Sequence, residues 1–197
     1  MRNINSKSWL DARLEIRSSL IQGNGIFARE TIKQGEIVMV WGGRLFTREE
    51  IQAGKAKPRS VSGFSEGWYL GLPIDDPDVP DQCLNHSCNP NVWMVDEVTL
   101  VSRMEIARNE ELTADYAMWE LDSEWKLEAV CNCGTSFCRR VITGNDWRTE
   151  DLQNRYKGHF LPCINERISM LTEDRDAVFS TTPSEMALKA LLATSAS

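Results

Sequence analysis

The sequence predicts a mainly β protein of the α+β kind, and three observations carry that reading. Between Leu14 and Thr113 the apolar residues come in short runs broken by turn residues, which is the spacing of strands rather than helices. Three cysteines then crowd into the segment Cys131 to Cys138. Beyond residue 145 the pattern becomes helical. A β-rich body, a cysteine-rich knot and a helical tail are expected in that order.

Each element has its own local signal. Leu14-Glu15-Ile16-Arg17 alternates with period two, and Gly23-Asn24-Gly25 is a turn leading into Ile26-Phe27-Ala28. Gly35-Glu36 marks a second turn before Ile37 to Trp41, a buried strand. Thr47-Arg48-Glu49-Glu50 fits a capping box, which predicts a helix running to about Lys57 before Pro58. Trp68-Tyr69-Leu70 reads as a short strand, and the proline- and aspartate-rich stretch from Leu72 to Pro80 as loop. Val92–Val95 and Val98–Val101 flank Asp96-Glu97 as a hairpin, and Glu110 to Thr113 follows a turn at Asn109. In the tail, Thr149–Lys157 and Pro162–Leu171 are expected helices, with Leu152, Tyr156 and Phe160 on one face as core contacts. Thr182-Pro183-Ser184-Glu185 opens a last helix through Leu192, a candidate for self-association.

The 197 residues are 42% hydrophobic and 26% charged, a balance that can bury a real core. Lys plus Arg number 22 against 29 Asp plus Glu, a net charge of −7. That argues against direct nucleic-acid binding, which favours a basic surface, and suits a cationic partner. The first residues hold no apolar core of a secretory signal, and Ile37–Trp41 is far too short to cross a bilayer. The expectation is an intracellular protein without a membrane partner, cytoplasmic or, in a eukaryote, nuclear. In a reducing compartment six cysteines point to metal ligation or burial rather than disulfides.

Cys131, Cys133 and Cys138 form C-x-C-x4-C around Gly134. Tetrahedral zinc needs four ligands, so the spacing predicts a zinc site whose fourth ligand lies elsewhere. Cys83, His86, Cys88, His159 and Cys163 are the candidates, and Arg139 and Arg140 would offset the thiolate charge. His159 and Cys163, four apart, are better read as structural, because Pro162 interrupts their face. A second cluster, Asn85-His86-Ser87-Cys88-Asn89-Pro90-Asn91, offers directional donors and acceptors suited to a ligand. An Asx turn at Asn89-Pro90 suits the same residues. Glu111-Leu112-Thr113-Ala114-Asp115-Tyr116 follows as a polar strand end.

Together, Gly23-Asn24-Gly25-Ile26-Phe27-Ala28, the Asn85–Asn91 stretch, Glu111–Tyr116 and the Cys131–Arg139 segment resemble the SET-domain protein lysine methyltransferases with their post-SET tail. The stretches occur in the family's order over residues 14–142. The resemblance implies small curved β-sheets (a β-clip) with knot-like threading, the tyrosine segment passing beneath a loop. It divides the chain into a SET domain at 12–120, a post-SET zinc segment at 128–144 and a helical extension at 146–197. It implies S-adenosylmethionine as methyl donor, contacted by Gly23, Asn24, Gly25, Ile26, Phe27, Asn85, His86 and Tyr116. Tyr116 is the implied catalytic tyrosine, Trp41 and Ala114 line the implied substrate channel, and Cys88 becomes the fourth zinc ligand. The implied partner is a lysine-containing protein or peptide, a histone or another basic protein.

Three departures from the family pattern bear on substrate and vigour. Ala114 stands where the family commonly has Tyr or Phe, which leaves room for higher methylation states. Arg44 replaces an acid after Trp41-Gly42-Gly43, and Gln82-Cys83 stands where Arg-Phe is common. These departures also suit a different reading, a cofactor- and zinc-binding interaction module with little catalysis.

Overall fold

Eleven short strands assemble into three small sheets in a computed structural model that describes residues 4–180. The strands are β1 (Trp9–Leu10), β2 (Leu14–Ser18), β3 (Asn24–Ala28), β4 (Ile37–Val40), β5 (Arg44–Thr47) and β6 (Ser62–Ser65). They continue with β7 (Trp68–Gly71), β8 (Asn85–His86), β9 (Val92–Met94), β10 (Thr99–Ser102) and β11 (Glu111–Ala114). The sheets run β1-β4-β10-β9, β2-β3-β11-β8 and β5-β7-β6. Every pairing is antiparallel except β8 with β11, where Asn85 faces Thr113 and His86 faces Ala114. That parallel pair requires a long crossover. Here β9 and β10 supply it, so two segments far apart in sequence end side by side.

The apolar runs seen in the sequence become the core. Val38, Met39, Met94 and Leu100 are buried in the first sheet, Ile26 and Leu112 in the second, and Phe46 and Leu70 in the third. Ile37, expected inside, is 48% exposed: it begins β4 where the pairing with β10 is irregular, and burial starts with Val38 and Met39. Four strands escaped the sequence reading: β1, β5, β6 and β8, all short and lacking a sustained alternating pattern.

The capping box forms as expected. Thr47 accepts from the Glu50 amide, and the Glu50 carboxylate accepts from the Thr47 amide. The helix it starts, α1 (Arg48–Gln52), is shorter than expected: Ala53 caps it and Gly54 turns the chain at φ +71°, well before Lys57.

The chain divides into two compact units, one up to Asn165 and one from Glu166. Residues 146–165 therefore lie in the first unit. They contribute α2 (Glu150–Arg155) and the buried side chains Trp147, Leu152, Tyr156, Phe160, Leu161 and Ile164. Leu152, Tyr156 and Phe160 are core contacts, but not along one helix face, since α2 ends at Arg155 and Gly158 reverses the chain at φ +80°. The third helix, α3 (Pro162–Ser180), begins in the first unit and continues beyond the expected Leu171; its residues 166–180 are the described part of the second unit. The helix expected from Ser184 to Leu192 lies outside the described residues.

Candidate active site and metal centre

Tyr116 leaves the end of β11 and opens the 3-10 turn Tyr116–Met118, capped by the Asp115 carboxylate on the Ala117 amide at 3.1 Å. Its hydroxyl donates to the Leu84 carbonyl at 2.9 Å. Ring centroids of His86, Trp119 and Trp125 stand 5.1, 5.3 and 6.2 Å away, and Trp119 meets Trp41 edge-on at 4.9 Å. Burial pushes the Tyr116 phenol up to about 12, against a weaker downward pull from Arg59, so it stays protonated at physiological pH.

His86 reaches this tyrosine through strand pairing. Its Nδ1 accepts the Tyr116 amide at 3.3 Å, which leaves the proton on Nε2, 3.3 Å from Cys88 Sγ. Burial lowers its pKa to about 4, outweighing the Asp115 carboxylate, so the imidazole is neutral. One neutral ring thus joins the tyrosine backbone to a cysteine sulfur.

Asn85, its neighbour, spends its side-chain amide on the Gln22 and Asn24 carbonyls at 3.1 and 3.0 Å and on Glu111 Oε1 at 2.7 Å. Ser19 donates to the same carboxylate at 2.8 Å. A Cβ on Gly25 would overlap the Glu111 carboxylate, so glycine here makes room for a side chain of the protein itself. Gly23, at φ +50°, has open space over its Cα. Ile26 is fully buried and Phe27 lies 4.2 Å beneath the Arg17 guanidinium. A ligand at this turn would meet its backbone and not the Ile26 side chain. Ala114 is likewise fully buried, directly before the Asp115-Tyr116 pair.

Among the fourth-ligand candidates, the fold brings Cys88 to the knot. The Sγ atoms of Cys88, Cys131, Cys133 and Cys138 all lie within 4.8 Å of one another, and Cys88 and Cys131 are 3.9 Å apart. A tetrahedral Zn–thiolate site with bonds of about 2.3 Å has sulfurs about 3.8 Å apart, so the cluster fits zinc. Its chemistry fits too. Burial pushes the Cys88 thiol up to about 11 and raises Cys131 further, so a cation is needed to hold these sulfurs as thiolates. The Arg139 amide donates to Cys88 Sγ at 3.3 Å, and Trp125, Leu127 and Ile142 pack around the cluster. Cys83 and Cys163, the other two cysteines, lie outside the cluster and are half-buried. His159 stacks on Trp93 at 3.4 Å, with Nδ1 2.8 Å from the Met94 carbonyl.

The sequence reading missed Trp119 and Trp125, and it missed the pairing of Asp115 with Arg139, a residue expected to offset the thiolates. The two tryptophans had a signal, since Tyr116, Trp119 and Trp125 crowd into ten residues. The ion pair had none. Arg139 grips the fully buried Asp115 carboxylate through two hydrogen bonds of 2.6 and 2.8 Å across a separation of 24 residues.

A family model described as the SET domain matches residues 23–117. The chain is 32% identical over 139 residues to the human Histone-lysine N-methyltransferase 2B, covering 63% of this chain and 5% of that protein. It is 30% identical over 156 residues to the Arabidopsis thaliana Histone-lysine N-methyltransferase ATX2, covering 72% of this chain and 14% of that one. It thus spans a small part of these relatives' lengths. Its fold is shared with the methyltransferase domain of human SETMAR, at a TM-score of 0.55 and 21% identity over 68% of this chain and 58% of that one. KRYPTONITE, solved with mCHG DNA and SAH, shares it at a TM-score of 0.51 and 23% identity over 65% of this chain and 28% of that one. Motif order, the family model and the shared fold agree that residues 23–117 of this chain are similar to the SET domain.

Proposed function

We propose that this chain transfers a methyl group from S-adenosylmethionine to the side-chain amine of lysine in a protein substrate. The observation that carries the reading is the placement of Tyr116: between three aromatic rings, with its amide on His86 and the Asn85-pinned Gly23 turn beyond. The open face of Gly23 and the neutral His86 suit a cofactor whose adenosine approaches backbone groups. The cofactor would supply an electrophilic methyl on a sulfonium.

The chain's own residues do the rest. The Tyr116 proton is committed to the Leu84 carbonyl, so the phenol oxygen offers lone pairs to a cation or a polarised C–H group. It orients and does not deprotonate. A free lysine has a pKa of about 10.4, and the aromatic walls of Trp41, Trp119 and Trp125 disfavour its charged form by desolvation. The lysine proton leaves through water, the nitrogen takes the methyl, and the thioether product departs. Alignment supplies most of the acceleration.

Histones are the first substrates to test, since the similar proteins are named histone-lysine methyltransferases, one of them a Histone H3-lysine(4) N-trimethyltransferase. Ala114 leaves room for more than one methyl group. Labelled methyl should pass to a core histone, and Tyr116→Phe should reduce kcat by about 100-fold with the fold intact. Cofactor and zinc binding without transfer to any of a broad protein panel would favour an interaction module instead.

A further inference from the structure

Arg155 and Tyr156 stand at the end of α2, past the segment that the family model covers, yet both reach into the site. The Tyr156 hydroxyl lies 3.1 Å from Asp115 Oδ2 and 3.3 Å from the Cys88 carbonyl. It has one proton for two acceptors, and the carboxylate, nearer and charged, takes it. Arg155 serves the other acceptor, donating to the Cys88 carbonyl at 3.0 Å. Adjacent residues therefore hold the two segments, just past β11 and β8, that meet at Tyr116. One hold is on Asp115, its neighbour in sequence. The other is on Cys88, whose sulfur faces the His86 ring that accepts the Tyr116 amide.

The path is closed: Tyr156 to Asp115, along the chain to Tyr116, to His86, to Cys88, and back through Arg155. Asp115 is fully exhausted by it, with Arg139 on both oxygens, the Ala117 amide on Oδ1 and Tyr156 on Oδ2. Tyr156 itself is fully buried and anchored by edge-on contact with Phe160 at 5.9 Å. Such a ring tolerates little drift at Tyr116.

We propose that Tyr156 is a positioning residue for methyl transfer, its hydroxyl fixing the Asp115-Tyr116 backbone from outside the segment of residues 23–117. The proposal rests on the methyltransferase reading above for its effect on rate, but not for its effect on backbone order.

The test is Tyr156→Phe in the full chain, which removes only the oxygen. With labelled S-adenosylmethionine and core histones, kcat should fall about tenfold, equal to about 1.4 kcal/mol on the barrier. KM for the cofactor and zinc content should stay within about twofold of wild type. Amide exchange at residues 114–118 should quicken about tenfold in the same variant. Leu152→Ala, a cavity in the same segment, should lower the unfolding midpoint while leaving kcat per zinc-loaded chain unchanged. Wild-type exchange at 114–118 in Tyr156→Phe overturns the proposal, as does a fall in kcat that Leu152→Ala reproduces. A wild-type chain that methylates nothing would remove the methyltransferase reading, and the exchange measurement would still decide the role of Tyr156.

Discussion

Glu120 shows how far a single buried group departs from its solution behaviour. Only 7% exposed, it is pushed up to about 7 by burial, against the opposing amides of Asp122 and Leu121; its Oε1 accepts the Asp122 amide at 2.8 Å. Asp122 raises it further, and Arg48, itself paired with Asp122 and Tyr69, pulls it down. The folded chain therefore keeps this proton to a higher pH than the unfolded chain does. The associated stability is complete below about 4.5 and is lost as pH rises through about 7. Glu120→Gln keeps the shape and the acceptor but cannot ionise. Denaturant unfolding at pH 5 and pH 8 should show the wild type losing stability between them and the variant losing about 1–2 kcal/mol less. Tyr116 is the opposite case: its phenol is protonated throughout that range, so it sets no step in a pH profile.

At the scale of elements, β3, β8 and β11 form one device. Gly25 leaves room for Glu111, Glu111 receives Asn85 and Ser19, and Asn85 ties the Gly23 turn. Gly25→Ala should therefore cost about 1–3 kcal/mol by overpacking and weaken cofactor binding, measured by unfolding and calorimetry. Glu111→Ala should cost less in the Gly25→Ala background than alone, with non-additivity of at least about 0.5 kcal/mol in the double-mutant cycle. The sequence made β3 and β11 legible because their apolar residues repeat with a strand's period and their turns carry Gly or Asn. It hid β8, two residues long, because a parallel pair across β9 and β10 leaves no periodic trace. Three metal ligands were legible from spacing. The fourth came from resemblance, and the Asp115–Arg139 clamp was invisible because it depends on three-dimensional return of the chain. Capping residues announced where α1 begins, while its end was set by Gly54, a single residue read only as part of a longer helix.

The first unit is held from two sides, by the cysteine cluster and by residues 146–165, which converge on Cys88. One zinc per chain is expected by elemental analysis, and Cys131→Ser should bring the ratio close to zero. Stripping the metal with a chelator should cost several kcal/mol in unfolding and raise KM for the cofactor, because Cys88 shares the loop of Asn85 and His86. A wild-type ratio near zero would sink the site. Binding the fourth ligand also has a topological effect. A metal bridge from Cys88 to Cys131 closes a loop across a sequence separation of 43 that contains β9, β10, β11 and Tyr116. By chain entropy such a closure is worth about 4 kcal/mol against the open chain. Cys131, Cys133 and Cys138, gathered within eight residues, can collect an ion before the body has folded. Cys88, two residues past β8, lies beside them in the fold in which β8 pairs with β11. A metal held by all four sulfurs would thus fasten the segment after β8 to the cysteine segment, linking metal affinity to the pairing of Asn85 with Thr113.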